Sequence, residues 1–180
     1  MNSPPLRFPP DRDQPSHQWF PGPPAGEPGC MVAIRKTVAT AVDVEILLTN
    51  VVAFSTGFAF VVEIAGAKAK TYDVHGLEYF DGGPVRSVLR FGIELEDGRR
   101  ATNLDRITET RRPGNGLISY ATSSRPAGRT VSVWSWPLPP GRRTTFACDW
   151  IALGVDFTRV ELDAVALRAA GTRSRRLALP

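Results

Sequence analysis

Apolar residues recur at every second position over several stretches of the chain. From Val38 to Leu48 the series Val38, Thr40, Val42, Val44, Ile46, Leu48 holds one parity, and Asp43 and Glu45 hold the other. A period of two marks a strand with one buried face and one wet face, so this stretch reads as one strand. After Ser55-Thr56-Gly57 the pattern resumes with Phe58, Phe60, Val62 and Ile64, with Glu63 opposite. Leu89, Phe91, Ile93 and Leu95 then alternate with Arg90, Gly92, Glu94 and Glu96. Glu96-Asp97-Gly98-Arg99 follows as a hairpin turn, with Asp-Gly as its signal. A short strand is expected from Arg100 to about Leu104.

Val131 to Ile151, VSVWSWPLPPGRRTTFACDWI, reads as a hairpin with Pro139-Pro140-Gly141-Arg142-Arg143 at its tip. It carries three of the four tryptophans. A last strand covers Phe157 to Leu162. Asp163 then opens AVALRAA as a short helix, since Asp is a good N-cap and Gly171 a good stop. Between these elements, 66–84 and 106–129 read as two long loops, the second rich in Arg, Gly, Ser and Thr.

About seven strands with regular turn signals predict an all-β, antiparallel immunoglobulin-like sandwich with a short C-terminal helix. The Cys…Trp…Cys spacing of true immunoglobulin domains is absent. A jelly roll or a flattened barrel is the alternative. No internal repeat is visible.

The ends differ from the middle. Residues 1–30 hold nine of the sixteen prolines, a composition that favours extended polyproline conformation or disorder. Trp19-Phe20 sits inside this leader, either as the anchor of a recognition arm or packed back on the domain. Met31 is an alternative start. The tail TRSRRLALP is basic and expected to fray. The domain plan is therefore a leader over 1–30, a sandwich over 31–171 and a tail over 172–180.

Three segments resemble a known group. LRFGIELEDGRRATN, WSWPLPPGRRTTFACDWIALGV and TRVELDAVALRAA are similar to an uncharacterised family of small β-sandwich proteins from high-GC Gram-positive bacteria. Its members share a Pro-rich start, a "DGRRATN"-like segment, a "WPLPP" hairpin and a "WPALG"-like turn. Here that turn departs, as Trp150-Ile151-Ala152-Leu153-Gly154. The resemblance covers most of residues 38–170, the tryptophan hairpin being its most specific part. It implies a β-sandwich in a bacterial cytoplasm, and carries no activity, cofactor or catalytic residue.

Charge changes the picture little. The chain of 180 residues has a net charge of +4, which mildly favours anionic partners. Nineteen arginines against three lysines is the skew of a GC-rich genome. Seventeen uncharged residues, Ile46 to Val62, fall short of the roughly 20 that span a bilayer, and Asn50, Ser55, Thr56 and Gly57 interrupt them. No membrane insertion is expected, and no secretory signal is visible at the start. Cys30 lies in the leader. Cys148 alternates with Phe146 and Trp150 and so faces the core. Both read as reduced thiols of a cytoplasmic protein.

Candidate chemistry is sparse. His17 and His75 are the only histidines. Asp73, His75, Glu78 and Asp81 match no established metal spacing and read as a solvated acidic loop. No GxSxG and no phosphate-binding glycine loop occurs. Cys148 with His75 would need an exposed thiol of lowered pKa, against the predicted burial. Glu94 and Glu96 share a strand face, as solvated carboxylates often do. No metal, no cofactor and no catalytic residue is therefore expected.

The arginines are the functional lead. Arg99, Arg100, Arg106, Arg111, Arg112, Arg125, Arg129, Arg142 and Arg143 face only Asp105 and Glu109 within 99–143, a local charge of +7. Arginine binds phosphate with a planar fork and stacks on bases. Ser132, Trp134 and Trp136 share one strand face, and Val131, Val133 and Ser135 the other. The tryptophan face is the larger apolar candidate for the core. If exposed, Trp134 or Trp136 would offer a stacking platform. The expected function is a non-enzymatic protein-interaction module presenting Arg-rich loops, with Arg99, Arg100, Arg111, Arg112, Arg125, Arg129, Arg142, Arg143 and Trp19 as candidate contacts. The alternative is a module binding anions or nucleic acid through the same arginines.

Overall fold

The computed structural model describes residues 22–66, 89–105 and 114–177. They form two antiparallel sheets packed face to face, with one C-terminal helix and no closed barrel. In chain order the strands are β1 (Cys30–Val32), β2 (Lys36–Ala41), β3 (Val44–Ala53), β4 (Phe58–Ala65) and β5 (Arg90–Leu95). They continue with β6 (Arg100–Thr102), β7 (Gly116–Arg125), β8 (Gly128–Trp136), β9 (Arg143–Trp150) and β10 (Val155–Asp163), followed by helix α1 (Ala164–Leu177). The larger sheet runs β1-β3-β4-β8-β7, with β2 also on β3; the smaller runs β10-β9-β5-β6.

The alternation read from the sequence sets the core. Phe58, Phe60, Val62 and Ile64 of β4 are buried beside Ile46 and Leu48 of β3 and Val131 and Val133 of β8. Phe91, Ile93 and Leu95 of β5 and Phe146 and Cys148 of β9 complete it from the smaller sheet. Phe60 meets Phe146 edge-on at 5.8 Å, and Phe146 stacks on Phe91 at 6.0 Å. Such pairs add to the stabilisation from area burial alone. At one side β2 packs on β10, and Lys36 Nζ donates to the Glu161 carbonyl at 2.6 Å. At the other side Asn115 Nδ2 donates to the Arg100 carbonyl at 2.8 Å, bringing β6 beside the start of β7.

Several elements differ from the sequence reading. The stretch 38–48 is a hairpin of β2 and β3, not one strand. Ala41 pairs with Val44 across a two-residue turn, Val42-Asp43, with Asp43 at φ 62°. A two-residue turn reverses the parity, because Ala41 and Val44 share a face, and the bulge at Val38 reverses it again, so Val38 stays in step with Val44, Ile46 and Leu48. Val42, in step with the core series, is 75% exposed. The loop expected over 106–129 contains β7 and the start of β8. β7 pairs along β8 through a hairpin at Pro126-Ala127, and its small polar residues hid it. The predicted final strand begins earlier, at Val155, with a bulge before Thr158.

Helix α1 starts as expected, with Asp163 Oδ1 accepting from the Ala166 N–H at 2.9 Å. It does not stop at Gly171. It runs to Leu177 and takes in the first part of the expected tail. Gly171 is buried, and a Cβ there would lie 2.5 Å from the Phe54 carbonyl oxygen and 2.6 Å from Leu138 Cδ1. The glycine serves a close approach of helix to turn rather than a C-cap. Leu167 and Ala170 of α1 join the core.

The leader also yields ground to the domain. Residues 22–30, expected in the leader, are tied in by β1 on β3 and by Glu27. The Glu27 carboxylate accepts from Ser55 N at 2.8 Å, Ser55 Oγ at 2.5 Å and Ser174 Oγ at 3.1 Å. Trp19 and the acidic loop around His75 lie outside the described residues.

Candidate functional site on the outer face of the smaller sheet

Strand register decides which side chains meet on the solvent side of the smaller sheet. Gly92 of β5 stands between Thr102 of β6 and Ala147 of β9, and Ala147 pairs in turn with Arg159 of β10. One row beyond, Glu94 stands between Arg100 and Thr145. On the other side, Arg90 faces Asp149. Two residues with little or no side chain thus floor a shallow trough of about 340 Å³, whose walls include Arg90, Arg100, Leu104, Phe157 and Arg159.

The walls are charged and aromatic. Arg90 grips Asp149 with two parallel hydrogen bonds, Nε to Oδ1 at 2.6 Å and a shorter one from the terminal nitrogen to Oδ2. That bond to Asp149 holds the Arg90 guanidinium above its ordinary pKa. Glu94 lies between two arginines, 3.1 Å from Arg100 and 3.6 Å from Arg159. The Arg159 guanidinium also sits 5.1 Å from the centroid of the Phe157 ring. Phe157 is 61% exposed, so most of its ring stands in water.

Cys148 lies under this face, within the core. Burial, and secondarily the charge of Asp149, push its thiol up to about 12. It is therefore a neutral packing residue near pH 7 and not a nucleophile. Both Cys30 and Cys148 are free. Among the described residues, no three His, Cys, Asp or Glu side chains gather where they could hold a metal. No helix among them is long and apolar enough to cross a membrane, and Ile46 to Val62 lies within the β3–β4 hairpin.

The predicted arginines are dispersed. Arg99 closes the β5–β6 turn and pairs with Asp97 at 2.7 Å. Arg142 gives its backbone N–H to Glu96 Oε2 at 2.5 Å. Arg143 pairs with Glu161 at 3.1 Å. Arg129 is the second residue of β8, and the strand carries the chain roughly 23 Å from it, at ~3.3 Å per residue, before the connection to Arg142. Arg125 ends β7. Arg111 and Arg112 lie outside the described residues. Among the described arginines of the segment, Arg100 alone lines the trough. Three of the nine, Arg99, Arg100 and Arg143, thus meet carboxylates from beyond the segment: Asp97, Glu94 and Glu161.

Trp134 and Trp136 offer no open platform. Val131 and Val133 face the space between the sheets, and Trp134 points the other way, yet Trp134 is 2% exposed. At Trp134 β8 is covered on its outer face as well as its inner one, where the sequence reading allowed one. Trp134 packs edge-on to Phe54 at 5.6 Å and against Gly57. Trp136 is half-buried over Gly116.

Arg90, Asp149, Phe157 and Arg159 were not singled out from the sequence. A signal was present. Phe157 shares parity with Arg159 and Glu161, an aromatic in step with the wet face of its strand. Gly92 on the wet face of β5 marked a place of close approach. No family model, no curated protein and no solved structure matches this chain.

Proposed function

We propose that the protein is a non-enzymatic binding module that holds another protein on the outer face of its smaller sheet. The observation that carries this reading is the exposed Phe157 ring, backed by Arg159 and set beside a floor of Gly92 and Ala147. Aromatic and arginine side chains around a small apolar depression are the composition of interface hot spots. Three arginines against Glu94 and Asp149 leave the face with a charge of +1. The partner segment that fits carries an apolar side chain for the floor and a carboxylate for Arg100 or Arg159. The setting we infer is a bacterial cytoplasm, on the resemblance of the DGRRATN and WPLPP segments and on two free thiols.

Nucleic-acid binding is the second reading, favoured by the forked geometry of exposed Arg100 and Arg159. Phosphate would have to take these arginines from Glu94, which weakens that reading. The test is a pull-down from host lysate with wild-type protein and with Phe157→Ala/Arg159→Ala, each with and without nuclease and at two salt concentrations. A defined protein captured by wild type through nuclease and salt, and lost by the double variant, is the expected result. Capture unchanged by the variant rejects this face. Capture lost to nuclease and to salt, as counterion release requires, rejects the protein partner.

A further inference from the structure

Sheet edges are templates for pairing, and proteins protect them with short strands, charges, bulges or covering elements. Three edges of this sandwich are protected. β6 has three residues. β10 carries Asp156, Arg159, Glu161 and Asp163, and β2 packs on it. β1 and β2 share one edge of β3, where α1 packs on β1. β7 is different. It is ten residues long, and GLISYATSS, its first nine, contains no charge and no proline. Among the described residues its strand partner is β8 alone, with β6 beside its first residues. Among the described residues, a bulge between Ser119 and Ala121 is its one protective device. The run from Ala121 to Arg125 beyond it pairs regularly with β8.

We propose that β7 is a self-association edge, on which a second copy of this chain adds its own β7 antiparallel to form one continuous sheet. Charge favours this occupant. About a two-fold axis, the single charge of β7, Arg125, falls across from the uncharged residues of the other copy, so no like charges meet. The chain's own leader fits poorly. Pro4, Pro5, Pro9, Pro10, Pro15 and Pro21 interrupt it, and no uninterrupted run between them exceeds five residues. Proline cannot donate to the ladder. An isologous edge pair also closes at two copies.

Sedimentation of the full-length chain over a concentration series tests this, with Ala121→Lys/Ser123→Lys as the variant. Both positions are exposed; the change costs the monomer the hydrogen bond of 3.0 Å between the Ser123 and Thr130 hydroxyls. Wild type is expected to show a concentration-dependent dimer. The variant should weaken it about tenfold or more, because its lysines meet one another and Arg125 across the pair. Far-UV circular dichroism checks that the variant is folded, and Ser124→Lys serves if it is not. Wild type that stays monomeric to several hundred micromolar overturns the proposal. So does assembly beyond two copies, or a dimer equally tight in the folded variant. Phe157→Ala/Arg159→Ala should leave the dimer intact, which separates this edge from the trough.

Discussion

Replacing Glu27 with alanine should destabilise the domain by about 2 kcal/mol. The carboxylate joins three distant parts of the chain: the N-terminal segment, the β3–β4 turn through Ser55, and the far half of α1 through Ser174. Hydrogen bonds to charged groups contribute roughly 1.5–3 kcal/mol in favourable sites. Glu27 is half-buried, so water replaces part of what Ser55 loses. The Ser174 hydroxyl is fully buried and would lose its acceptor, at a cost of roughly 1–3 kcal/mol. With a urea slope near ~2 kcal/mol/M, the midpoint should fall by about 1 M. Burial raises the Glu27 pKa, but the Ser55 hydroxyl and N–H, then Ser174 and the charge of Arg175, outweigh it and hold the carboxyl below its ordinary 4.5. Its folded pKa is therefore lower than its unfolded one. The contribution is complete above the unfolded value and is lost as pH falls through the folded value. Glu27→Gln should cost about 1 kcal/mol at pH 7, and that gap should close progressively below pH 4.5. Urea melts of wild type, Glu27→Ala and Glu27→Gln at three pH values decide it. A midpoint unchanged by Glu27→Ala would falsify the clamp, and a Gln gap that persists in acid would refute the charge argument. A chain begun at Met31 should be less stable still, since it also loses Cys30 from β1.

Gly171→Ala should destabilise by about 1–2 kcal/mol, although alanine is the better helix former, because its methyl would press on the Phe54 carbonyl and Leu138; thermal melting checks this, and a stabilised variant refutes the close approach. Native protein at pH 8 should titrate one thiol with a chromogenic disulfide, half-buried Cys30, and two after unfolding, since Cys148 is buried with its thiol near 12. Phe157→Ala should shift stability by no more than about 0.5 kcal/mol, as an exposed site does, while removing partner capture; a large loss of stability would make Phe157 a core residue. Glu94→Gln should release Arg100 and Arg159 and raise the salt needed to elute the protein from heparin, and unchanged elution would mean that Glu94 does not neutralise them.

The two-sheet architecture was legible because burial on one face writes a period of two into the sequence. Phe58 to Ile64 and Leu89 to Leu95 lie where that period put them. The same signal is blind to a turn whose change of parity is undone by a nearby bulge, so β2 and β3 merged across Val42-Asp43 and the bulge at Val38. It is also blind to a strand without large apolar residues, so β7 passed for a loop. Trp134 eluded it for another reason: a strand covered on both faces loses the contrast that assigns its sides. Gly171 shows the limit of residue-type rules. Glycine is favoured both as a helix stop and at a close contact, and only the position of Phe54 across the fold decides between them.

The site was harder to read than the fold because its residues meet through register. Gly92, Ala147 and Arg159 are far apart in sequence and adjacent only because β5, β9 and β10 pair with particular partners. Shifting one strand by a single residue would turn Gly92 inward and raise Phe91 or Ile93 into the floor. Charge behaves the same way. Along the chain, the arginines of 99–143 look unopposed; folded, Arg100 shares Glu94 with Arg159, and Arg143 meets Glu161. Exposed pairs of this kind contribute little to stability, but they set what the surface offers. With Arg100 and Arg159 already answered by Glu94, the trough does not present bare cations to phosphate. The face is nearly neutral and carries an aromatic ring in water, and that ring is the feature by which the proposed protein partner stands or falls.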